Sequence, residues 1–182
     1  MNKVYIFLAD GFETVEALAP VDVMRRAGLN VVTVSIMGRR EVLSAQDIAV
    51  AADTLFEECD FSDADAVVLP GGSVGTENMS AHAPLRAVVD RMNNDGKLIA
   101  AICAAPMVFG RMGILHGRKA TCYPGCECDL TGAEYTAEAV QCDNNMITAC
   151  GPGVSFDFGF AIVAYFCGNQ VVDTLRSQMQ FQ

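Results

Sequence analysis

The chain contains no tryptophan, only two histidines, and only 12 basic residues against 22 acidic ones. Its formal net charge is therefore −10 at pH 7. The densest basic groups are adjacent pairs, namely Arg25-Arg26, Arg39-Arg40 and Arg118-Lys119. An acidic surface without a basic patch repels nucleic acid and anionic lipid. We therefore expect neither nucleic acid nor a membrane as a partner.

Long hydrophobic runs are also absent. The longest, residues 98–110, is shorter than the ~20 residues that a membrane-spanning helix requires. The start of the chain, Met1-Asn2-Lys3, lacks the basic and apolar regions of a signal peptide. These features predict a cytoplasmic protein, and a chain of 182 residues predicts one domain, residues 1–182.

Cysteine is plentiful, with eight residues, yet its pattern does not predict a disulfide framework. Such frameworks belong to short secreted chains, so we expect free thiols. Cys122, Cys126 and Cys128 form a Cys-x3-Cys-x-Cys cluster. The cluster lacks the paired Cys-x2-Cys spacing of zinc sites, and neither histidine is close in sequence. We expect loop thiols near an active site there, and no metal.

Strand-like and helix-like segments alternate along the chain. Predicted strands are 4–8, 30–35, 66–69, 97–102, 119–122, 136–141 and 146–149, with a hairpin or edge pair at 41–51; predicted helices are 14–27, 83–94, 105–112, 154–167 and 171–180. Strands separated by helices of ~10–15 residues indicate a doubly wound, mostly parallel sheet. A hydrophobic content of 52% fits a sheet buried on both faces. Ligands of such sheets lie beyond the carboxyl ends of the strands.

The apolar strand that ends at Ile102 is followed at once by Cys103. Small residues, Ala101, Ala104 and Ala105, surround this position, as a sharp strand-to-helix turn with a nucleophile at its corner requires. The dipole and free N–H groups of the following helix would favour a thiolate. An ordinary buried core cysteine would fit the segment equally well.

Two further loops carry candidate chemistry. Glu16 lies in an apolar helix start, where a raised carboxyl pKa would let it donate a hydrogen bond to a thiolate. Its simpler role is to complement the helix N-terminus, as Glu13 would. Gly71 and Gly72 follow a buried strand and could offer N–H groups to an oxyanion, or form a plain turn. Gly151-Pro152-Gly153 is interpreted as a structural connection.

The chain resembles the ThiJ/PfpI superfamily, in particular the DJ-one type, the branch of the parkinsonism-associated protein deglycase. The resemblance is carried by residues 20–28, 67–72, 99–106 and 151–153, in the family's order and spacing, and it covers nearly the whole chain. It implies an α/β, flavodoxin-like three-layer sandwich with a mostly parallel central sheet and a nucleophile elbow.

The resemblance also implies roles for individual residues. The family's reactive cysteine corresponds to Cys103, its acidic partner to Glu16, and its oxyanion N–H groups to Gly72 and Ala104. It implies a homodimer that forms through the first helix, on the face that carries Leu18, Val21 and Met24-Arg25.

The sequence departs from the family at three positions. A histidine that many members place near the cysteine is Tyr123 here, and a free phenol has a pKa of about 10, which makes a poor base. Two arginines that can hold an anion are Gln46 and Cys150, so a strongly anionic substrate is not expected. Cys150 is a candidate second thiol for an oxidised Cys103, and His116 is interpreted as a solvated loop residue.

Three functions remain open at this point. The first is a cofactor-free, cysteine-dependent glyoxalase or deglycase that acts on a small-molecule carbonyl substrate. The second is a redox-responsive protective or chaperone-like protein in which Cys103 is oxidised. The third is a cysteine peptidase or amidase, which Tyr123 disfavours.

Overall fold

A seven-stranded sheet forms the centre of the computed structural model, which describes residues 1–181. The strands are β1 Lys3–Leu8, β2 Asn30–Ser35, β3 Glu41–Leu43, β4 Ala49–Ala51, β5 Thr54–Leu55, β6 Ala66–Leu69, β7 Leu98–Ile102, β8 Lys119–Ala120, β9 Glu134–Tyr135, β10 Val140–Asp143 and β11 Met146–Ala149. The main sheet has the order β10-β11-β7-β6-β1-β2-β5, and every neighbouring pair is parallel except β10–β11. The pairs β3–β4 and β8–β9 form two small sheets.

Six α-helices accompany the strands within residues 1–181. They are α1 Thr14–Arg26, α2 Ser73–Ala81, α3 Ala83–Asn94, α4 Pro106–Arg111, α5 Ser155–Cys167 and α6 Asn169–Gln178. No helix among residues 1–181 is both long and apolar enough to cross a bilayer.

The helices cover both faces of the sheet because successive residues of a strand point to opposite sides. In β1, Val4, Ile6 and Leu8 pack in a core with residues of α1, α5 and α6. Tyr5 and Phe7 pack in a second core with residues of α3 and α4. The result is the predicted α/β, flavodoxin-like three-layer sandwich.

Most predicted elements are present, and the exceptions have local causes. The predicted strand 136–141 begins too early: Ala137 has a φ of +55°, which interrupts an extended strand, and the strand at this place, β10, starts only at Val140. Helix α2, with its Gly, Ser and Thr content, was not predicted. The predicted helix 105–112 is shorter, since α4 comprises only Pro106–Arg111.

The predicted partner face of α1 also needs correction. Val21 and Met24 are buried in the chain's own core, with 7% and 0% of their surface exposed. Of the predicted face, Leu18 and Arg25 stay exposed, and the exposed apolar side chains of the helix are Val15 and Leu18, at 46% and 36%. Any contact through α1 would therefore use a narrower apolar face than the sequence indicates.

Three loops that follow parallel strands meet at one edge of the sheet. Residues 9–13 follow β1, residues 70–72 follow β6, and Cys103 follows β7. After β1 the chain runs to β2 on one side, and β6 returns on the other side of β1. This reversal of strand order is where an open α/β sheet forms its ligand crevice.

Candidate active site around Cys103

Cys103 occupies a sharp turn directly after β7. Its φ is +64°, a left-handed conformation that is uncommon for residues other than glycine. The Cys103 N–H donates to the Ala149 carbonyl at 2.8 Å, and its own carbonyl accepts from the Tyr123 N–H at 2.8 Å. The strained backbone is thus held by β11 on one side and by the 121–126 loop on the other. Strain of this kind clusters at functional sites, and the turn has the form of the predicted elbow.

Glu16 lies beside this turn and is fully buried, with 0% of its surface exposed. Its Oε2 accepts a hydrogen bond from the Gly71 N–H at 3.0 Å, and the carboxyl also hydrogen-bonds to the Cys103 thiol. Its Oε1 is buried and has no hydrogen-bond partner within residues 1–181. Helix α1 and the 70–72 turn therefore bring the predicted acid and the predicted nucleophile together.

Gly71 and Gly72 are both required by close packing. A Cβ on Gly71 would lie 2.5 Å from Glu16 Oε2 and 2.6 Å from Cys103 Cβ. Gly72 has a φ of +87°, and a Cβ there would overlap the Gly11 carbonyl oxygen. Hydrogen bonding from the N–H groups of Gly72 and Ala104 lowers the pKa of the Cys103 thiol, so both groups act on the sulfur. These are the two N–H groups predicted to form an oxyanion hole.

Burial raises the pKa of Glu16 to about 7; hydrogen bonds from Cys103 and Gly71 oppose the shift, and the charge of Glu13 adds to it. Burial, the Glu16 charge and its hydrogen bond also raise the pKa of Cys103 to about 12, while the Gly72 and Ala104 N–H groups act in the opposite direction. The sequence predicts that a helix dipole lowers the pKa of the thiol. That prediction is wrong while Glu16 is ionised. The six-residue α4 is short, and it begins three residues beyond the thiol.

The two groups titrate as one unit because each charge opposes the other. As the pH rises through about 7 the pair loses its first proton, and it then holds one negative charge and shares one proton. A buried carboxylate oxygen without a donor, as at Oε1, is unfavourable, and protonating the carboxyl lowers that cost because it removes the charge. When the single remaining proton lies on Glu16, the sulfur beside it is anionic and faces the N–H groups of Gly72 and Ala104.

The thiol faces an open cleft of about 480 Å³. Its walls come from the three loops, the hairpin and the 121–126 segment: Gly11, Glu13, Glu16, Ala45, Gly72, Ser73, Val74, Cys103, Ala104, Tyr123, Cys126 and Pro152. Cys103 is partly exposed in this cleft, so it is not a sealed core cysteine. A small molecule can approach the sulfur and the N–H groups of Gly72 and Ala104 together.

Of the remaining predicted residues, Tyr123 and Gln46 lie in or beside the cleft, and Cys150 does not line it. Tyr123 lines the cleft and is 48% exposed. Gln46 lies at the edge, where its Nε2 donates to Glu13 at 2.8 Å and its Oε1 accepts from the Thr14 hydroxyl at 2.6 Å. Cys150 is not among the lining residues; the second thiol in the cleft is Cys126. The loop-thiol cluster was the sequence signal for Cys126.

Neither histidine belongs to the cleft. His82 caps α3, where its Nδ1 accepts from the Leu85 N–H at 3.1 Å, and His116 packs against Gly132. A cysteine–histidine dyad is therefore absent from this part of the molecule. Among residues 1–181, no three His, Cys, Asp or Glu side chains are placed to hold a metal ion.

Comparison with known proteins agrees with this geometry. The sequence profile described as the DJ-1/PfpI family matches residues 2–165. The chain belongs to the DJ-1/PfpI family. A solved DJ-1 superfamily protein of Salmonella typhimurium, crystallised as a cysteine-to-alanine mutant, has a TM-score of 0.96 and 34% identity, over 100% of both chains.

Curated relatives in the DJ-1/PfpI family include proteins of two lengths. The Parkinson disease protein 7 homolog of Danio rerio is 33% identical over 98% of this chain and 96% of its own length. Protein DJ-1 homolog B of Arabidopsis thaliana is 36% identical over 92% of this chain, which spans only 39% of that relative. A protein of Thermococcus kodakarensis named a deglycase is 33% identical over 83% of this chain and 91% of its own length.

Proposed function

We propose that the protein is a cysteine-dependent, cofactor-free enzyme that converts small α-oxoaldehydes, or their glycation adducts, to hydroxy acids. The observation that carries the proposal is the Cys103–Glu16 pair, in which the carboxyl is buried and the thiol opens to the cleft, next to the N–H groups of Gly72 and Ala104. The name of the Thermococcus relative, a deglycase, supports the same chemistry.

The first step uses the shared proton of the pair. With the proton on Glu16, the Cys103 thiolate attacks the aldehyde carbon of a substrate such as methylglyoxal. The aldehyde oxygen gains negative charge as the carbon–sulfur bond forms, and the N–H groups of Gly72 and Ala104 are placed to stabilise it. Proton transfer from Glu16 to this oxygen completes a hemithioacetal.

The second step moves a proton within the substrate. The ionised Glu16 removes the proton from the former aldehyde carbon, and the keto oxygen takes up a proton to give an enediol. A proton then returns to the former keto carbon, and the hydroxyl of the first carbon gives up its proton to form the carbonyl group. The first carbon is thereby oxidised to a thioester and the second is reduced to an alcohol, so no external oxidant or reductant is needed. Water then cleaves the thioester, releasing the hydroxy acid and restoring the thiol.

A carboxyl with a pKa of about 7 suits both tasks, because it exchanges a proton readily at neutral pH. The charges around the cleft also suit a neutral substrate. The positions of the family's two anion-holding arginines, Gln46 and Cys150, carry no cation, which matches a neutral carbonyl compound better than an anion.

The test is production of lactate from methylglyoxal by metal-free protein. We expect Cys103→Ala to abolish lactate formation. Cys167→Ala, which removes a partly buried thiol outside the cleft, should leave the rate unchanged. Equal rates in wild type and Cys103→Ala would end the proposal.

A second candidate function is supported by the exposure of Cys103 within a ring of hydrogen-bond donors. If peroxide oxidised the sulfur to a sulfinate, the N–H groups of Gly72 and Ala104 and a neutral Glu16 would face its oxygens. Mass spectrometry after mild peroxide treatment tests this redox-responsive role. Oxygen should be gained at Cys103 before Cys59 or Cys167, and a simultaneous gain at all three would argue against it.

A peptidase or amidase is the least supported function. Such an enzyme needs a base that activates the thiol and then protonates the leaving amine. The cleft offers Tyr123 at the position where the family carries histidine, and both histidines lie elsewhere.

A further inference from the structure

The cleft carries one carboxylate that the chemistry above does not use. Glu13 lines the cleft together with Glu16, and the lining side chains among residues 1–181 include no lysine, arginine or histidine. In the same loop, Asp10 is paired with Arg39 at 2.6 Å, whereas the Glu13 carboxylate accepts from the neutral amide of Gln46 at 2.8 Å. Glu13 therefore presents a negative charge to the cleft without a cation beside it.

The backbone of Glu13 is fixed against the turn that carries an oxyanion donor. Its N–H donates to the Gly71 carbonyl at 3.0 Å. A Cβ on Gly72 would lie 2.7 Å from the Glu13 nitrogen, so the two segments are in direct contact. The N–H of Gly72 acts in turn on the Cys103 sulfur. The residue that bears the carboxylate is thus attached to the turn where the aldehyde oxygen would gain its charge.

The Glu13 side chain does not cap its own helix. Glu13 occupies the N-cap position of α1, where a side-chain oxygen commonly accepts from an N–H of the first turn, but it makes no such bond. Gln46 supplies an acceptor instead: its Oε1 accepts from the Thr14 N–H at 3.3 Å and from the Thr14 hydroxyl at 2.6 Å. Because a backbone N–H can only donate, this contact sets the orientation of the amide, and Nε2 must face Glu13. Gln46 thereby holds the carboxylate in place with a neutral donor.

The charge of Glu13 reaches the reacting groups, since it contributes to the raised pKa of Glu16. A second negative charge that entered the cleft would be repelled in the same way, whereas a neutral molecule would not.

We infer that Glu13 is a specificity-determining residue, whose carboxylate excludes carbonyl substrates that carry a negative charge, and that Gln46 positions it. The statement about substrates rests on the proposed function. The charge selectivity at Cys103 does not, because it concerns any reagent that approaches the sulfur.

Alkylation of Cys103 tests the charge without turnover. Iodoacetamide and iodoacetate are nearly equal in size and differ in charge. At neutral pH and low ionic strength, the ratio of their rate constants at Cys103, followed by mass spectrometry of its peptide, should fall about fivefold in Glu13→Gln, the effect of one unit charge in a partly solvated cleft. The ratio cancels any change in the reactivity of the thiol itself. High salt should lower the wild-type ratio, because it screens the charge.

Gln46→Arg places a cation beside Glu13 and should lower the ratio as well. The matched control is Glu138→Gln, which removes the same charge from an exposed residue outside the cleft and should keep the wild-type ratio. Cys167 also lies outside the cleft, so its own ratio should be the same in every variant. An unchanged ratio at Cys103 in Glu13→Gln would overturn the inference.

The selection of substrates is measured by comparing kcat/KM for methylglyoxal with kcat/KM for 4,5-dioxovalerate, an α-oxoaldehyde that carries a carboxylate. Wild type should prefer methylglyoxal, and Glu13→Gln should reduce this preference about fivefold. An equal preference in the two proteins would show that Glu13 does not select substrates. The two proposals fail separately: equal lactate formation in wild type and Cys103→Ala would end the proposed function, and an unchanged alkylation ratio would end this one.

Discussion

Gly71 lies between the two reactive side chains, where its Cα has room for a hydrogen atom but not for a methyl group. A Cβ there would meet Glu16 Oε2 at 2.5 Å and Cys103 Cβ at 2.6 Å. Gly71→Ala should therefore push the pair apart and destabilise the protein by about 1–3 kcal/mol, as overpacking does. Urea unfolding measures the stability, and lactate formation from methylglyoxal should be lost.

The matched control for this substitution is Gly153→Ala. Gly153 follows Pro152, which lines the cleft. A Cβ on Gly153 would meet no other atom within 4 Å. Its free energy of unfolding should stay within about 0.5 kcal/mol of wild type. Equal stability of the two alanine variants would show that the turn relaxes more easily than its geometry indicates.

The shared proton predicts a distinctive pH profile for Cys103. In wild type, alkylation of Cys103 by iodoacetamide should rise with a midpoint of about pH 7, where the Glu16–Cys103 pair loses its first proton. Glu16→Gln removes that step, and the buried thiol should then react only at higher pH. Glu13→Gln should keep the step and lower its midpoint slightly, because the Glu13 charge raises the pKa of Glu16. Superimposable profiles for wild type and Glu16→Gln would contradict the shared proton.

The sequence indicates Cys103 well but Glu16 poorly, for a physical reason. A sharp turn requires small neighbours, and Ala104 and Ala105 show them directly. Glu13 and Glu16 are both acidic residues at the start of α1, and helix-end electrostatics treats them alike. Only packing against the 70–72 turn buries Glu16 completely and raises its pKa. That contact spans 55 positions of sequence, so no local pattern contains it.

Among the elements, α1 and α5 pack unusually closely at Gly159. A Cβ at this position would lie 3.0 Å from Pro20 Cα and 3.2 Å from Val23 Cβ. Gly159→Val should force the helices apart and cost about 1–3 kcal/mol in the free energy of unfolding. Gly159→Ala should cost less, because the gain of about 1 kcal/mol in helix propensity opposes the tight contact. Urea unfolding of both variants measures the difference, and a valine variant as stable as the alanine variant would contradict the close packing.

Elements whose residues have clear preferences are predicted correctly, and the others are decided by tertiary contacts. Strands β1, β2, β6 and β11 are apolar runs with turn residues at their ends, and the structure confirms them. Helix α2 has weak helix formers, and it forms where the turn after β6 places it over Phe12, with Gly75 in close contact. The segment 136–141 contains β-favouring Thr136 and Val140, yet Ala137 adopts a left-handed conformation between them.

For the whole molecule, we propose a homodimer through α1. Val15 and Leu18 are exposed by 46% and 36%, and they form an apolar face on a chain of net charge −10. Leu18→Glu places a charge in that face and should convert the dimer to a monomer, as measured by light scattering after gel filtration. Tyr165→Glu changes another exposed side chain, at 45%, on α5, and should leave the mass unchanged. A wild type that already elutes as a monomer would refute the dimer.

The stability of the whole molecule should pass through a maximum near pH 5. Hydrogen bonds from Lys3 and Lys97 lower the pKa of Asp63 and Asp65, so their contribution exists above the unfolded pKa and is lost as the pH falls through the folded one. Glu16 acts in the opposite direction, because burial raises its pKa from 4.5 to about 7. Its folded form prefers the proton, so stability declines as the pH rises from 4.5 to 7 and then levels off.

The size of this decline tests the buried carboxyl. The shift of the Glu16 pKa corresponds to about 3 kcal/mol, since each pKa unit is worth about 1.4 kcal/mol. Free energies of unfolding from urea titrations at pH 5, 6, 7 and 8 should therefore fall in wild type and stay level in Glu16→Gln, which cannot ionise. The glutamine variant should be more stable than wild type only above pH 5. The two plots of unfolding free energy against pH should therefore converge in acid and separate toward neutral pH. Parallel curves across this range would mean that Glu16 ionises at its ordinary pKa, and the proton shared with Cys103 would have no basis.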